Sequence, residues 1–374
     1  MSNAWESICN IAKEVNMNHL GNLNAVDVGK FFMAIVVIAI HTRPFEGFEP
    51  SIFLQLYDLL CTCAVPFFFL ATGYLLERKL KNEYSFMMRN KAVSRTLYKM
   101  IQLYLIWSIV YLPLAIYDYY FFPGKSIFGS FIVFDVLSYI QGLLFVGEHF
   151  NSWILWYLLS AIYALFVVKF LVSKGKTASC LCLVGCIVFV IGIGITYLVS
   201  CTGELPKTGV LVQKLIRYTF VNGRLTTAFL YIPVGMLLYE INISKIRYVL
   251  IIIMGGILCL SPLYEIFALR YFITAMTAIG IFGIALNTDL KDSKVYLKLR
   301  TSSTVIYFMH MWVWSIYALV INHTLMPATY GLDKFLVTAI VTLAMSLIYI
   351  KWKEKHAIVL LKLLYHRRTD GPLR

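Results

Sequence analysis

Residues 26–45 read VDVGKFFMAIVVIAIHTRPF, and the fold is decided there. Ten apolar residues separate Lys30 from His41. With its flanks the run approaches the roughly 20 residues a helix needs to cross about 30 Å of hydrocarbon. Lys30 and His41 are eleven positions apart, about three helical turns, so they share one face and lie roughly 16 Å apart along the axis. Asp27 lies on nearly the same stripe, one turn before Lys30, and is placed to pair with it. A single spanning helix thus carries charge at one end and an imidazole at the other.

The same pattern recurs outward along the chain. Apolar segments at about 53–76, 98–117, 153–172, 179–199, 225–240, 247–263, 267–286, 302–321 and 334–351 complete a set of about ten spans. Segment 126–146 is interrupted by Asp135, Gln141 and Gly142, and reads as a re-entrant or interfacial helix. Of the 374 residues 60% are hydrophobic and 14% charged, with mean hydropathy +0.76. A soluble domain of this length has too little interior to bury so much apolar surface. The fold class expected is all-α: a polytopic membrane protein. Residues 1–25 read as a leader or an interfacial helix (Trp5, Ile8, Ile11, Val15), 26–351 as one transmembrane domain, and 352–374 as a basic cytoplasmic tail. The first 25 residues are too polar for a cleavable signal peptide.

Net charge is +14, but the cations lie in loops beside apolar runs rather than along one exposed face, which excludes nucleic acid as a partner. With ten spans and a cytoplasmic amino terminus, 25 of the 33 Lys and Arg fall on the cytoplasmic side and eight on the other. The positive-inside rule therefore places both the amino and carboxy termini in the cytoplasm. Eight cysteines, mostly inside apolar runs and without a C-x-x-C pair, suggest neither a metal site nor a disulfide framework.

Two readings of the opening helix stand side by side. Lys30 serves as a snorkelling headgroup anchor and His41 as an interfacial histidine, or both face the bundle interior and carry function, the default for intramembrane ionisable groups. His310, near mid-depth in the ninth span, is either a helix-packing histidine or part of the same cavity.

The motif at 26–45 resembles the opening helix of the integral-membrane acyltransferase 3 family, in which an Arg, ten residues and a His recur. AVPFFFLATGYLL (64–76), SWILWYLLSAIYAL (152–165), NGRLTTAFLYIPVGMLL (222–238) and STVIYFMHMWV (303–313) are similar to later landmarks of that family, in family order. The likeness is greatest to Gram-positive members, including the membrane domain of vancomycin-resistance serine racemases. Two positions depart: Lys30 replaces the family's Arg, and Thr72 stands where Ser is common.

The resemblance implies transfer of an acyl group, usually acetyl, from cytoplasmic acyl-CoA (acetyl-CoA) to a hydroxyl beyond the bilayer, on a cell-envelope glycan or lipid-linked sugar acceptor. It implies a multi-pass protein of the bacterial cytoplasmic membrane. His41 is the expected general base, since an imidazole with an ordinary pKa of about 6.5 is mostly unprotonated at neutral pH. Asp27 would orient or neutralise Lys30. Lys30, Arg78, Lys79, Arg89 and Arg95 are the expected acyl-CoA side. Arg224, Glu148 (with His149), Trp153, Trp156, Tyr157 and His310 are the expected acceptor side. A solvated loop is the competing account of Glu148 and His149 and the one favoured there, a headgroup anchor that of Arg224, and an interfacial aromatic belt explains Trp153, Trp156 and Tyr157 as well as a binding cleft does. The alternative implied by the racemase-linked likeness is a membrane transporter for a small molecule such as serine.

Overall fold

The computed structural model describes residues 23–83, 85–121, 132–148, 152–201, 206–219, 223–325 and 330–369. Most of the leader expected over 1–25 lies outside the described residues. Those residues form helices α1 (Asn24–Thr42), α2 (Ile52–Lys81), α3 (Phe86–Phe121), α4 (Ile132–Gln141), α5 (Leu155–Ser173), α6 (Ala178–Ser200), α7 (Lys207–Thr219), α8 (Thr227–Glu240), α9 (Lys245–Cys259), α10 (Phe267–Leu286), α11 (Lys294–Asn322) and α12 (Leu332–Thr369).

Eight of them, α1–α3, α5, α6 and α10–α12, are long and apolar enough to cross a membrane. The chain is therefore an all-α polytopic membrane protein. Two expected spans, α8 and α9, are only 14 and 15 residues long. At 1.5 Å per residue each covers about 22 Å. Each is lengthened by a four-residue 3₁₀ turn, Gly223–Thr226 before α8 and Pro262–Glu265 after α9, worth about 8 Å more. Eight rather than the expected ten helices have spanning length and composition among the described residues. At the ends of α8, Arg224 meets Glu148 and Glu240 meets Lys81, each 2.6 Å away.

The segment expected to be re-entrant is a ten-residue helix, α4, closed by a π turn over Gly142–Val146, too short to cross. One element was not foreseen. α7 is amphipathic, exposing Val210, Leu211 and Leu215 beside Lys207, Lys214 and Arg217. Gln213 Nε2 ties it to the end of α6 through the carbonyls of Leu198 (2.8 Å) and Cys201 (3.0 Å).

Local chemistry sets the ends of the helices that matter. Arg43 closes α1 in a left-handed conformation (φ 43°), its N–H donating to the Ala39 carbonyl. Pro44 prevents continuation, and the Gly331 N–H caps the Thr42 carbonyl at 2.9 Å. Ser51 caps α2 through its hydroxyl, which accepts from Leu54 N at 3.3 Å.

α2 makes its most extensive contact with α8, and α1 with α11. The first is a backbone-to-backbone packing that demands glycine. A Cβ on Gly73 would lie 1.9 Å from the Ile232 carbonyl oxygen, and one on Gly235 would lie 2.2 Å from that of Leu70. Small residues let membrane helices approach this closely, where dispersion and not the hydrophobic effect holds them.

Candidate functional site

α1 carries the site. Its His41 end opens on a cavity of about 550 Å³, walled also by Trp156, Arg224, Arg270, Tyr307 and the Thr62–Thr274 pair, whose hydroxyls lie 3.2 Å apart. Its Lys30 end opens on a cavity of about 330 Å³ with Asp27, Arg78, Lys79 and Arg300 in its wall. Between them lies a third space of about 200 Å³. Lys30 and Arg300 form one end of it, and Thr72, Tyr157 and Tyr307 also line it. Lys30 and Arg300 belong to two of these cavities, and so does Tyr307, so adjacent spaces share walls all along the bundle.

The partner of Asp27 differs from the expectation. Its carboxylate, almost wholly buried, is gripped by Arg300 of α11. Nε lies 2.9 and 3.0 Å from Oδ1 and Oδ2, and Nη2 lies 2.6 Å from Oδ2. A planar guanidinium matches both carboxylate oxygens at once, whereas an ammonium one turn away on the same helix offers a point charge. Lys30 makes no ion pair of its own among the described residues. A guanidinium does therefore stand at this mouth, supplied by α11.

Tyr307 closes the middle of the bundle. Its hydroxyl donates to the Ile154 carbonyl (3.0 Å), and its ring packs edge-on against Phe68 and Tyr157, both at 5.6 Å. Thr72 lies beside this cluster, 3.5 Å from the Tyr157 hydroxyl. Aromatic edges and faces in this arrangement attract one another, making a partition between the lower and upper spaces.

At the far end the His41 ring is held between His310 and Trp153, with centroids 5.3 and 5.9 Å away. Arg224 Nη1 lies 2.6 Å from Glu148 Oε2, and its guanidinium sits 5.5 Å over the Trp156 ring. Gly147, with φ +76°, makes the turn that brings Glu148 there. A Cβ on it would lie 2.6 Å from Trp156 Cα. Burial raises the Glu148 carboxyl above its ordinary range, with Arg224 opposing. The fully buried Ser160 fixes the start of α8. Its hydroxyl donates to the Leu225 carbonyl (2.8 Å) and accepts from Ala228 N (3.1 Å).

Of the expected residues, His41, Arg224 and Trp156 meet at the upper cavity, with Trp153 and Glu148 behind them. Asp27, Lys30, Arg78 and Lys79 meet at the lower one. Arg89 and Arg95 line neither; Arg95 faces Glu83 at 3.9 Å. Tyr157 lines the middle space rather than the acceptor side. His310, expected as a substrate contact, has no exposed surface and stands behind His41 instead of lining the cavity. His149 lies outside the described residues. Arg300 and Tyr307 were missed. Arg300 stands three residues before the STVIYFMHMWV stretch, where it counted only toward positive-inside charge. Tyr307 lies within that stretch but in sequence is one aromatic among 25 tyrosines.

A family model described as Acyltransferase domain matches residues 23–351. Among curated proteins, an amino-acid racemase of Enterococcus faecalis is 26% identical over 300 residues, covering 76% of this chain and 37% of that protein. A serine/alanine racemase of Enterococcus gallinarum is 30% identical over 93 residues, 25% of this chain and 13% of the relative. The chain therefore spans well under half the length of these relatives. No solved structure matches it.

Proposed function

The chain belongs to the family described as Acyltransferase domain, matched over residues 23–351, and on that premise we propose that it moves an acyl group, acetyl in the first instance, from cytoplasmic acyl-CoA to a hydroxyl of a cell-envelope glycan or lipid-linked sugar. The observation that carries this reading is the series of spaces with shared walls. It runs from the Lys30–Arg300 mouth, past Tyr307, to His41. Orientation in the bacterial cytoplasmic membrane follows from the positive-inside bias, with the Lys30 end and both termini in the cytoplasm.

Acyl-CoA is a polyanion with a slender arm. Lys30, Arg300, Arg78 and Lys79 attract its phosphates, and the arm enters the space beside Thr72 and Tyr157 until the thioester passes Tyr307. Arg224 and Trp156 hold the acceptor, one by charge and hydrogen bonding and the other by its ring face. His41 takes the proton of the acceptor hydroxyl as the oxygen attacks the thioester carbonyl. The carbon–sulfur bond breaks, and the departing thiolate takes the proton back from His41. No metal enters this scheme.

The test is turnover of radiolabelled acetyl-CoA by protein in nanodiscs, with a lipid-linked sugar as acceptor. His41→Ala should lower kcat by about 10²- to 10⁴-fold while acetyl-CoA still binds. Wild-type turnover by His41→Ala would refute the reading. By their names the racemase relatives act on amino acids, and passage of a small amino acid is the second reading for this chain. Saturable uptake of labelled serine into proteoliposomes lacking acyl-CoA would support it.

A further inference from the structure

His310 is fully buried and lines none of the three spaces described above, yet one of its nitrogens has work to do. Its Nδ1 lies 3.1 Å from the Ile306 carbonyl oxygen, one turn earlier in α11. A carbonyl only accepts, so Nδ1 carries the hydrogen, and in the neutral ring Nε2 is left as a bare acceptor. That atom is buried and has no hydrogen-bond partner among the described residues. An acceptor left unsatisfied inside a protein is destabilising and calls for a donor.

The surroundings offer few. Tyr307, 6.3 Å from the His310 ring, has its hydroxyl hydrogen engaged by Ile154. The indole Nε1 of Trp314, one turn along the same helix, makes no bond to it. The nearest ring that gains a hydrogen during the reaction is His41, 5.3 Å away and tilted by 32°. When His41 takes the acceptor's proton it becomes an imidazolium with two N–H groups. One faces the cavity, where the leaving thiolate will need it. The other sits on a ring packed against Trp153 and His310, and of those two only His310 offers an acceptor, because an indole N–H donates.

We propose that His310 is a positioning residue for His41: its bare Nε2 accepts the second N–H of the His41 imidazolium, so that the proton gained from the acceptor is held on the cavity-facing nitrogen and delivered from there. The proton balance is closed. One proton moves from hydroxyl to His41 to thiolate, and none is transferred to His310. The role is that of an orienting partner behind a general base, filled here by a neutral imidazole instead of a carboxylate, which suits a region with little solvent to stabilise a second charge. The inference rests on His41 being the base of the proposed reaction.

Two variants and one spectroscopic measurement test it. His310→Phe keeps an aromatic ring and removes the acceptor; His310→Gln keeps an acceptor oxygen. In nanodiscs, His310→Phe should lower kcat by about 10- to 100-fold, the range typical of removing a partner that orients a functional histidine. KM and equilibrium binding of acetyl-CoA should stay as in wild type, and His310→Gln should recover part of the loss. Wild-type kcat in His310→Phe, or a loss appearing in KM alone, overturns the proposal. Nitrogen-15 NMR of histidine-labelled wild type reads the tautomer without activity. A protonated Nδ1 and bare Nε2 on His310 support the assignment, and a protonated Nε2 overturns it even if the variants fail to fold. Absence of acetyl-CoA binding and turnover in wild type would sink the acyltransferase reading and the His310 role with it, whereas normal turnover with a protonated Nε2 on His310 would sink the His310 role alone.

Discussion

Replacing Asp27 by Asn removes the charge that holds Arg300 at the lower mouth, and the size of the effect can be worked from the contacts. Three nitrogen–oxygen distances of 2.6–3.0 Å describe a forked pair. Hydrogen bonds to a charged group contribute about 1.5–3 kcal/mol. The carboxylate side chain is only 3% exposed, but the arginine side chain is 53% exposed, so solvent competes for it and the lower part of that range applies. A double-mutant cycle of Asp27→Asn with Arg300→Met should therefore give a coupling of about 1–2 kcal/mol. It can be measured by reversible unfolding in mixed micelles with increasing SDS. The cycle of Asp27→Asn with Lys30→Met should give about 0.5 kcal/mol or less, because Lys30 makes no ion pair with the carboxylate. Arg300→Met should in addition raise KM for acetyl-CoA more than it lowers kcat. A larger coupling to Lys30 than to Arg300 would refute the assignment and restore the pairing within α1.

Two further outcomes follow from the same geometry. Gly73→Ala places a methyl against the Ile232 carbonyl oxygen, only 1.9 Å from the new carbon, so α2 and α8 must part. Unfolding in SDS should show a loss of about 1–3 kcal/mol, and unchanged stability would mean the two helices are not in backbone contact. Glu148 has a carboxyl pushed up by burial, so the native state holds its proton more tightly than the unfolded chain does. Its contribution to stability is then fully present below the ordinary carboxylate range and declines as pH rises through the raised value. The stability of wild type relative to Glu148→Gln should fall over that window and level off above it; a difference that grows with pH would contradict the buried setting of Glu148.

How legible the molecule is from sequence depends on the range of the interaction. Apolar runs bounded by loop charges give the spans without reference to partners, because lipid forces every backbone polar group into local hydrogen bonds. The two shorter apolar helices, α8 and α9, are legible for the same reason, although their falling short of spanning length and the 3₁₀ turns that flank them are not. Helix α7 escapes such a reading because its apolar positions alternate with cations over too few residues to resemble a span.

Within the site, the sequence by itself determined that Lys30 and His41 share one face of α1, a matter of eleven residues and a fixed helical period. Only the tertiary structure decided what surrounds them. Asp27 and Arg300 are 273 positions apart in the chain, and nothing local distinguishes Arg300 from other cations beside a span. His310, Trp153 and the Tyr307 partition reach α1 in the same way, from helices distant in sequence. The physical reason is that helix formation is a local hydrogen-bonding problem, whereas the choice of partner for a buried charge or ring is settled by which helix faces pack together.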